Sequence, residues 1–167
     1  MFLVVSGLPG TGKSAVADAV AGRLRAVHLS IDPVEDAMLG AGLERGWATG
    51  VAAYEAVRAM AEINLSLGLS VVVDAVNDSE AARNTWRNAS AVTGQPVTFV
   101  LLTVPSLAEH RRRLEGRDRG LVNIPPPTWE RVQARADAYE PWLGPCSVID
   151  ASGPLSVVVD QVLALAN

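Results

Sequence analysis

Apolar residues occupy consecutive positions in FLVVS (2–6) and return at the same density in LSVVVD (69–74) and VTFVLL (97–102), with shorter versions in VHLSI (27–31) and CSVID (146–150). Short, continuously apolar, β-branched runs suit strands that are buried on both faces of a parallel sheet. Between them the spacing lengthens to that of helices. Ser14 to Ala26 carries Val16, Ala19, Val20 and Leu24 on one side, and Val51 to Leu67 carries Val51, Tyr54, Val57, Ala61 and Leu65. Asp32-Pro33-Val34-Glu35 predicts a helix start, with Asp32 as N-cap, Pro33 in the first turn and Glu35 three residues on. Asn77 and Asp78 are expected to open a helix that runs to about Val92, and Ser106 with Glu109 forms a capping box for one that ends near Glu115. A Gly/Pro-rich loop (116–127), a helix over Thr128 to Tyr139 and a last helix starting near Pro154 complete the pattern.

Strands separated by helical stretches need right-handed crossovers, so the expected fold is α/β, a three-layer α/β/α sandwich on a parallel sheet. In such sheets a ligand sits beyond the carboxyl ends of the strands. The residues that carry chemistry fall at that edge.

With 167 residues, 49% hydrophobic and 19% charged, the chain is expected to form one domain over 1–167, long enough to bury roughly 70% of its unfolded surface. Its longest apolar run falls short of the about 20 residues a membrane helix needs. MFLVVSG lacks the positive segment of an export signal. Cys146 has no second cysteine to pair with, and a reducing cytoplasmic setting is the expectation. The net charge of −4 argues against a general nucleic-acid binder, whose affinity comes mainly from neutralised phosphates. It leaves room for a small phosphorylated ligand held by a local cluster.

Such a cluster begins at Gly7. GLPGTGKS (7–14) fits G-x-x-x-x-G-K-[ST], with a buried strand before it and a helix after it. Glycines at 7, 10 and 12 let the backbone curl until the amides from Gly10 through Thr11 to Ala15 face one anion, and the following helix adds its positive end. Lys13 is the only lysine in a chain whose other basic residues are all arginine. A surface lysine is exchangeable for arginine at little cost, whereas a compact ammonium reaching between two phosphates is not. Ser14 offers its hydroxyl to Mg²⁺. The predicted ligand is a nucleoside triphosphate.

The rest of the chain narrows the class. With one lysine there is no Asn-Lys-x-Asp guanine-reading motif, and Asp150-Ala151-Ser152-Gly153 lies too late to be a γ-phosphate switch. A full AAA+ motor needs a longer chain. A small kinase fits. Asp32, at the end of the second strand, is the candidate to receive the proton of an acceptor hydroxyl; a helix-capping role is compatible with that. An ordinary Asp, pKa about 3.9, is a weak base for an alcohol, but in a loose phosphoryl-transfer transition state it orients the nucleophile and takes the proton late. Five of the thirteen arginines (111, 112, 113, 117 and 119) fall within nine residues. We read them as a lid over about 111–127, with Arg113 and Arg117 on one helical face and Arg113, Arg117 and Arg119 directed at the triphosphate. Arginines so placed are worth about 10³- to 10⁵-fold in rate. Asp74, ending the third strand, is the candidate to hold the water shell of Mg²⁺. Asn77 is expected either to contact substrate or to cap a helix.

VVVDAVND (71–78) resembles the strand-Asp-Ala-Thr-Asn segment of small P-loop kinases that include polynucleotide kinase domains, with Val76 where those carry threonine. SIDPVEDAM (30–38) resembles the corresponding segment of chloramphenicol phosphotransferase, and the arginine-rich lid, AYEPW (138–142) and VIDASGPL (148–155) are similar to the same group of AAA-domain-type ATP-binding kinases. The Asp-Gly-Phe-Pro-Arg of adenylate kinases and the Gly-Gly pair of shikimate kinases are missing. The resemblance implies a five-stranded sheet in nucleoside-kinase order, ATP·Mg²⁺ as donor, and a hydroxyl acceptor over Asp32. It implies that the turn at Ala151, Ser152 and Gly153 lies near adenine, and that Glu35, Trp47 and Tyr54 surround the acceptor.

Trp47, in RGWATG, is expected in a loop, where its ring either stacks on a substrate or packs. Trp86, Trp129 and Trp142 are expected to be structural, His28 to pack on its strand and His110 to face solvent. The reading favoured by the sequence is an ATP-dependent phosphotransferase acting on a small-molecule hydroxyl: an antibiotic, or a nucleoside- or sugar-like metabolite. The alternatives are a 5′-hydroxyl polynucleotide kinase and an ATP-binding resistance or regulatory module that phosphorylates no acceptor. The sequence leaves the oligomeric state and the choice between ATP and GTP open.

Overall fold

The computed structural model describes residues 1–117 and 119–166. Asp118, inside the expected lid, lies outside the described residues. Five strands, β1 (Phe2–Ser6), β2 (Val27–Ser30), β3 (Val71–Ala75), β4 (Val97–Thr103) and β5 (Ser147–Asp150), form one parallel sheet in the order β2-β3-β1-β4-β5. The helices among the described residues are α1 (Lys13–Leu24), α2 (Ile31–Gly40), α3 (Trp47–Ser66), α4 (Glu80–Thr93), α5 (Leu107–Glu115), α6 (Trp129–Asp137) and α7 (Leu155–Ala164).

The central strands β1 and β3 are buried at every residue, and the edge strands β2 and β5 are not. That is why the two central strands read as uninterrupted apolar runs. Alternation then sorts side chains between two cores. Leu3, Val5 and Val72 pack with Val16 and Val20 of α1 and Val158 and Val162 of α7. Phe2, Val4, Val71 and Val73 pack on the other face with Val57, Ala61 and Leu65 of α3 and with Trp86 of α4. The same alternation sends Asp74, two residues after Val72, toward α1, and Ser6, two after Val4, toward α3 and α4.

Three helix starts differ from expectation. β2 runs directly into α2, so Ser30 is the N-cap position and Asp32 is already inside the first turn. Burial of Ile31, only 4% exposed, fixes that start, because the chain must turn there to bury it. α3 begins at Trp47, four residues before Val51, and the Thr49 hydroxyl bonds the Glu44 carbonyl at 2.5 Å. Trp47 is therefore in a first helical turn and not in a loop. α4 begins at Glu80 with Ser79 as its cap, whose Oγ accepts from the Ala82 N–H at 3.3 Å. Asn77 does not cap it; it sits in the left-handed region at φ 54°, a conformation asparagine tolerates better than most residues. Ser106 caps α5 as its spacing predicts, and Thr128, expected inside the helix, caps α6, each accepting an N–H from three residues on.

Candidate functional site

The turn from β1 to α1 is wound at the carboxyl edge of the sheet. Gly10 and Gly12 lie in the left-handed region, φ 93° and 90°, and a side chain at Gly10 would press on the His110 ring at 3.0 Å. His110 was expected at the surface. It is buried, 5% exposed, and its Nε2 bonds the Pro9 carbonyl at 2.8 Å while its ring meets Trp129 edge-on at 5.3 Å. Only the fold brings α5 against the glycine-rich turn, so the period of α5 alone could not show this. Thr11 closes the turn from within, its hydroxyl donating to the Leu8 carbonyl at 2.9 Å.

Lys13 is buried at 4% exposure. Burial lowers its pKa to about 8, aided by the positive charges of Arg119, Arg117 and Arg135 and opposed by Asp74. The Ser14 hydroxyl donates to Asp74 Oδ2 at 2.7 Å, and His28 Nε2 meets Asp74 Oδ1 at 2.8 Å. Burial alone would raise the pKa of Asp74. The hydrogen bond from His28, the charge of Lys13 and the bond from Ser14 outweigh it and hold the carboxyl below the usual range. His28 is raised in turn, chiefly by the Asp74 bond, with Asp18 at 3.7 Å on its other side. Sequence reading missed this role for His28. The sheet register supplies it: His28 pairs with Val72 and so shares a face with Asp74 on the neighbouring strand.

Arg119 bridges the two halves of the site. It donates to Asp32 Oδ2 and, at 3.2 Å, to Ser14 Oγ. Arg117 follows the end of α5, not its helical face, and its buried Nε has no partner among the described residues. Arg113 turns the other way, donating to the carbonyls of Ala151 at 2.7 Å and Ser152 at 3.0 Å and to Glu109 at 2.7 Å. Ser152 and Gly153 are exposed on the β5–α7 turn, where the Ser152 N–H bonds Asp150 Oδ1 at 2.8 Å. A cavity of about 490 Å³ collects Gly12, Lys13, Ser14, Arg113, Arg117 and Arg119.

On the far side of Asp32 a second cavity, about 510 Å³, is lined by Asp32, Glu35, Trp47, Tyr54 and Asp78. Trp47 stands 85% exposed on its wall. Asn77 does not face this space. It is fully buried, its Nδ2 donating to Ser6 Oγ at 2.8 Å and its Oδ1 accepting from Trp86 Nε1 at 2.7 Å. Its backbone N–H reaches the Tyr54 hydroxyl at 3.3 Å. With both ends of the amide engaged inside, Asn77 positions the β3–α4 turn and Tyr54.

The sequence profile of the AAA domain family matches residues 2–139. The chain belongs to the AAA domain family. No curated protein sequence matches it. In fold, this AAA domain is similar to the gluconokinase of Sinorhizobium meliloti, at a TM-score of 0.72 and 22% identity over 99% of this chain and 91% of that one. It is also similar to the Mycobacterium tuberculosis APS kinase in complex with AMPPNP and APS, at 0.69 and 21% over 99% and 96%. Chaetomium thermophilum Kti12 in complex with ADP-AlF3 compares at 0.69 and 19%, over the whole of both chains. The fold is therefore one shared by small P-loop kinases, as the strand order already indicates.

The donor set of this AAA domain fits a hard divalent cation of the Mg²⁺ type. Ser14 and Asp74 present a hydroxyl and a carboxylate to one point, and no group of three or more His, Cys, Asp or Glu side chains is close enough to cage a metal among the described residues. One or two protein oxygens, completed by water and phosphate, is how Mg²⁺ is usually held. Among the described residues no helix is long and apolar enough to cross a membrane.

Proposed function

We propose that this AAA domain is an ATP-dependent kinase that transfers the γ-phosphoryl group to a hydroxyl of a small molecule. The observation that carries the reading is the Arg119 bridge: one guanidinium spans Asp32 on the acceptor side and Ser14 at the end of the phosphate loop. A module that only binds nucleotide has no need for a carboxylate one guanidinium away from the phosphate loop, opening onto a second cavity.

In this reading the backbone of Gly7 to Ala15 and Lys13 hold the phosphates. Ser14 and Asp74 hold Mg²⁺, which when bound neutralises charge on the β- and γ-oxygens. Gly153 and Ser152 flank the nucleotide base. The loop 116–127 is the lid, and Arg117 and Arg119 contact the transferred group. Arg113 acts less directly, tying α5 to the β5–α7 turn. The acceptor oxygen attacks the γ-phosphorus while its bond to the β–γ bridging oxygen breaks and ADP leaves; Asp32 orients the attacking hydroxyl and accepts its proton. Trp47, Tyr54 and Glu35 hold the rest of the acceptor, a sugar-like or nucleoside-like metabolite or an antibiotic.

A screen of hydroxyl compounds with γ-labelled ATP identifies the acceptor, and Asp32→Asn then tests the assignment. We expect labelled product to fall about 10²- to 10⁴-fold with ATP affinity retained. Full activity of Asp32→Asn on that acceptor would show the assignment to be wrong.

A further inference from the structure

Two cavities adjoin at Asp32 and Glu35, and their walls carry opposite charge. The larger, described above, presents Asp32, Glu35, Glu55 and Asp78 against Arg135. The smaller, about 230 Å³, gathers Arg45, Arg117, Arg119 and Arg135 against Asp32 and Glu35 alone. This concentration occurs in a chain of net charge −4. Four guanidinium groups face two carboxylates around one small space, Arg119 paired with Asp32, and the surplus of positive charge favours an anion among them.

The transferred phosphate accounts for two of the four. Arg117 and Arg119 also line the cavity of the phosphate loop. Arg45 and Arg135 do not line that cavity; Arg45 comes from the loop between α2 and α3, and Arg135, from α6, also lines the larger cavity beside Asp32 and Glu35. Arg135 is anchored through its Nε to Asp78 at 2.7 Å. Arg45 is exposed and makes no ion pair among the described residues. Pro125, Pro126 and Pro127 also line it, with φ fixed by their rings and no N–H of their own to offer an anion. Recognition of an anion in this space therefore falls to the two arginines, whose planar donors match carboxylate and phosphate oxygens in pairs.

We infer that the acceptor is itself an acid: a hydroxylated small molecule whose carboxylate or phosphate group is bound by Arg45 and Arg135, with its reacting hydroxyl at Asp32 and its carbon skeleton along Trp47 and Tyr54. This rests on the kinase reading for the direction of transfer, but the anion site is testable without it. The carboxylates of the larger cavity then serve the remaining hydroxyls as acceptors, and the arginine end sets the orientation.

The direct test titrates malonate and, separately, inorganic phosphate into the enzyme loaded with AMPPNP·Mg²⁺, so that the phosphate loop is filled. Binding is followed by the NMR signals of the Trp47 indole and of the Arg45 and Arg135 side chains. Saturable binding is expected, weakened at least about tenfold in Arg45→Ala and in Arg135→Gln, and the stronger of the two anions indicates a carboxylate or a phosphate acceptor. No saturable binding, or binding indifferent to both variants, overturns the inference. A kinetic arm compares glycerol, glycerate and glycerol 3-phosphate, and glucose, gluconate and glucose 6-phosphate. Anionic members should be preferred at least about tenfold in kcat/KM, a preference lost in Arg45→Ala through acceptor KM. Preference for the neutral members, or for a 5′-hydroxyl oligonucleotide, overturns the inference and leaves the kinase reading standing. Anion binding without labelled product from any hydroxyl compound upholds the anion site and overturns the kinase reading.

Discussion

Ser14 and Asp74 lie 60 residues apart in the chain and 2.7 Å apart in space, the hydroxyl donating to the carboxylate. The contact joins the first turn of α1 to the end of β3, and His28 holds the other oxygen of Asp74 from β2 at 2.8 Å. Three neighbouring elements of the fold thus converge on one carboxylate.

A partner behind a metal-binding carboxylate fixes its orientation, and losing such a partner typically weakens metal affinity by about 10- to 100-fold. His28→Ala should accordingly raise the Mg²⁺ concentration for half-maximal activity by about that factor, with little change in acceptor KM. Asp74→Asn should be more severe. If His28 only packs, His28→Ala will lower the melting temperature and leave the Mg²⁺ dependence where it was.

Lys13 makes nucleotide affinity depend on pH. In the free protein its pKa is brought down to about 8, by burial first and then by Arg119, Arg117 and Arg135. Bound phosphates favour the ammonium and raise the pKa again, so ATP binding takes up protons above pH 8. Affinity should be flat below that point and fall by up to about tenfold per pH unit above it. For the free protein the sign is opposite, since a lysine depressed by folding makes the native state more stable as pH rises from about 8 toward the ordinary lysine value of 10.5. Calorimetry at pH 9 in two buffers of different ionisation enthalpy checks the proton uptake. Equal apparent enthalpies there would refute it.

Arg83 is fully buried and joins α4 to the segment 139–142. It donates to the carbonyls of Asn77 (3.0 Å), Pro141 (2.8 Å) and Glu140 (2.6 Å) and to Glu80 at 2.6 Å, and it stacks 4.2 Å from the Trp142 ring centroid. Arg83→Met leaves the buried Asn77 carbonyl and the half-buried Glu80 carboxylate without this partner, and should cost about 3–5 kcal/mol of stability. Its companion Glu80 is held down to about 2, by Arg87 first, then by Arg83 and the Leu143 N–H against some desolvation. A depressed carboxyl stabilises fully above its ordinary pKa near 4.5 and loses that contribution as pH falls toward 2. Thermal melts of Glu80→Gln should therefore fall less steeply than wild type between those limits, and start lower at pH 7.

These cases show what the chain discloses by itself. The phosphate loop was legible because its glycines, Lys13 and Ser14 are contiguous, and the sheet because β1 and β3 carry continuous apolar runs. Asp32 and Asp74 stood out as candidates because one follows a strand's end by two residues and the other is the last but one residue of a strand, at the edge where a parallel sheet binds ligands. His28, His110 and Asn77 were misread for a common reason. Each takes its meaning from a partner on another element: Asp74 across the sheet, the Pro9 carbonyl at the phosphate loop, Ser6 and Trp86 beneath the β3–α4 turn. Periodicity reports which face a residue occupies, not what waits opposite it. Asp32 lost its predicted cap for a local reason, since burial of Ile31 starts α2 immediately after β2.

Asp36 ties the loop proposed as a lid to α2. Its Oδ1 accepts from the Asn123 and Ile124 N–H groups at 2.7 and 3.0 Å and its Oδ2 from the Val122 N–H at 3.3 Å, while Asn123 Nδ2 donates back to the Asp36 carbonyl at 3.1 Å. Those N–H bonds outweigh the desolvation that opposes them and hold the Asp36 pKa below its ordinary value. The segment so held follows Arg117 and Arg119, so in the proposed kinase its attachment to α2 should set how long the two arginines stay over the phosphate loop. Asp36→Ala removes every hydrogen bond accepted by the carboxylate without touching either hydrophobic core. Proteolysis between 117 and 127 should quicken several-fold and KM for ATP should rise by about fivefold or more. The melting temperature should hardly move. Asp36→Asn keeps one carbonyl oxygen for the Asn123 and Ile124 N–H groups and should restore part of the protection. A cleavage rate and KM unchanged in Asp36→Ala would mean that the loop closes through its arginines alone.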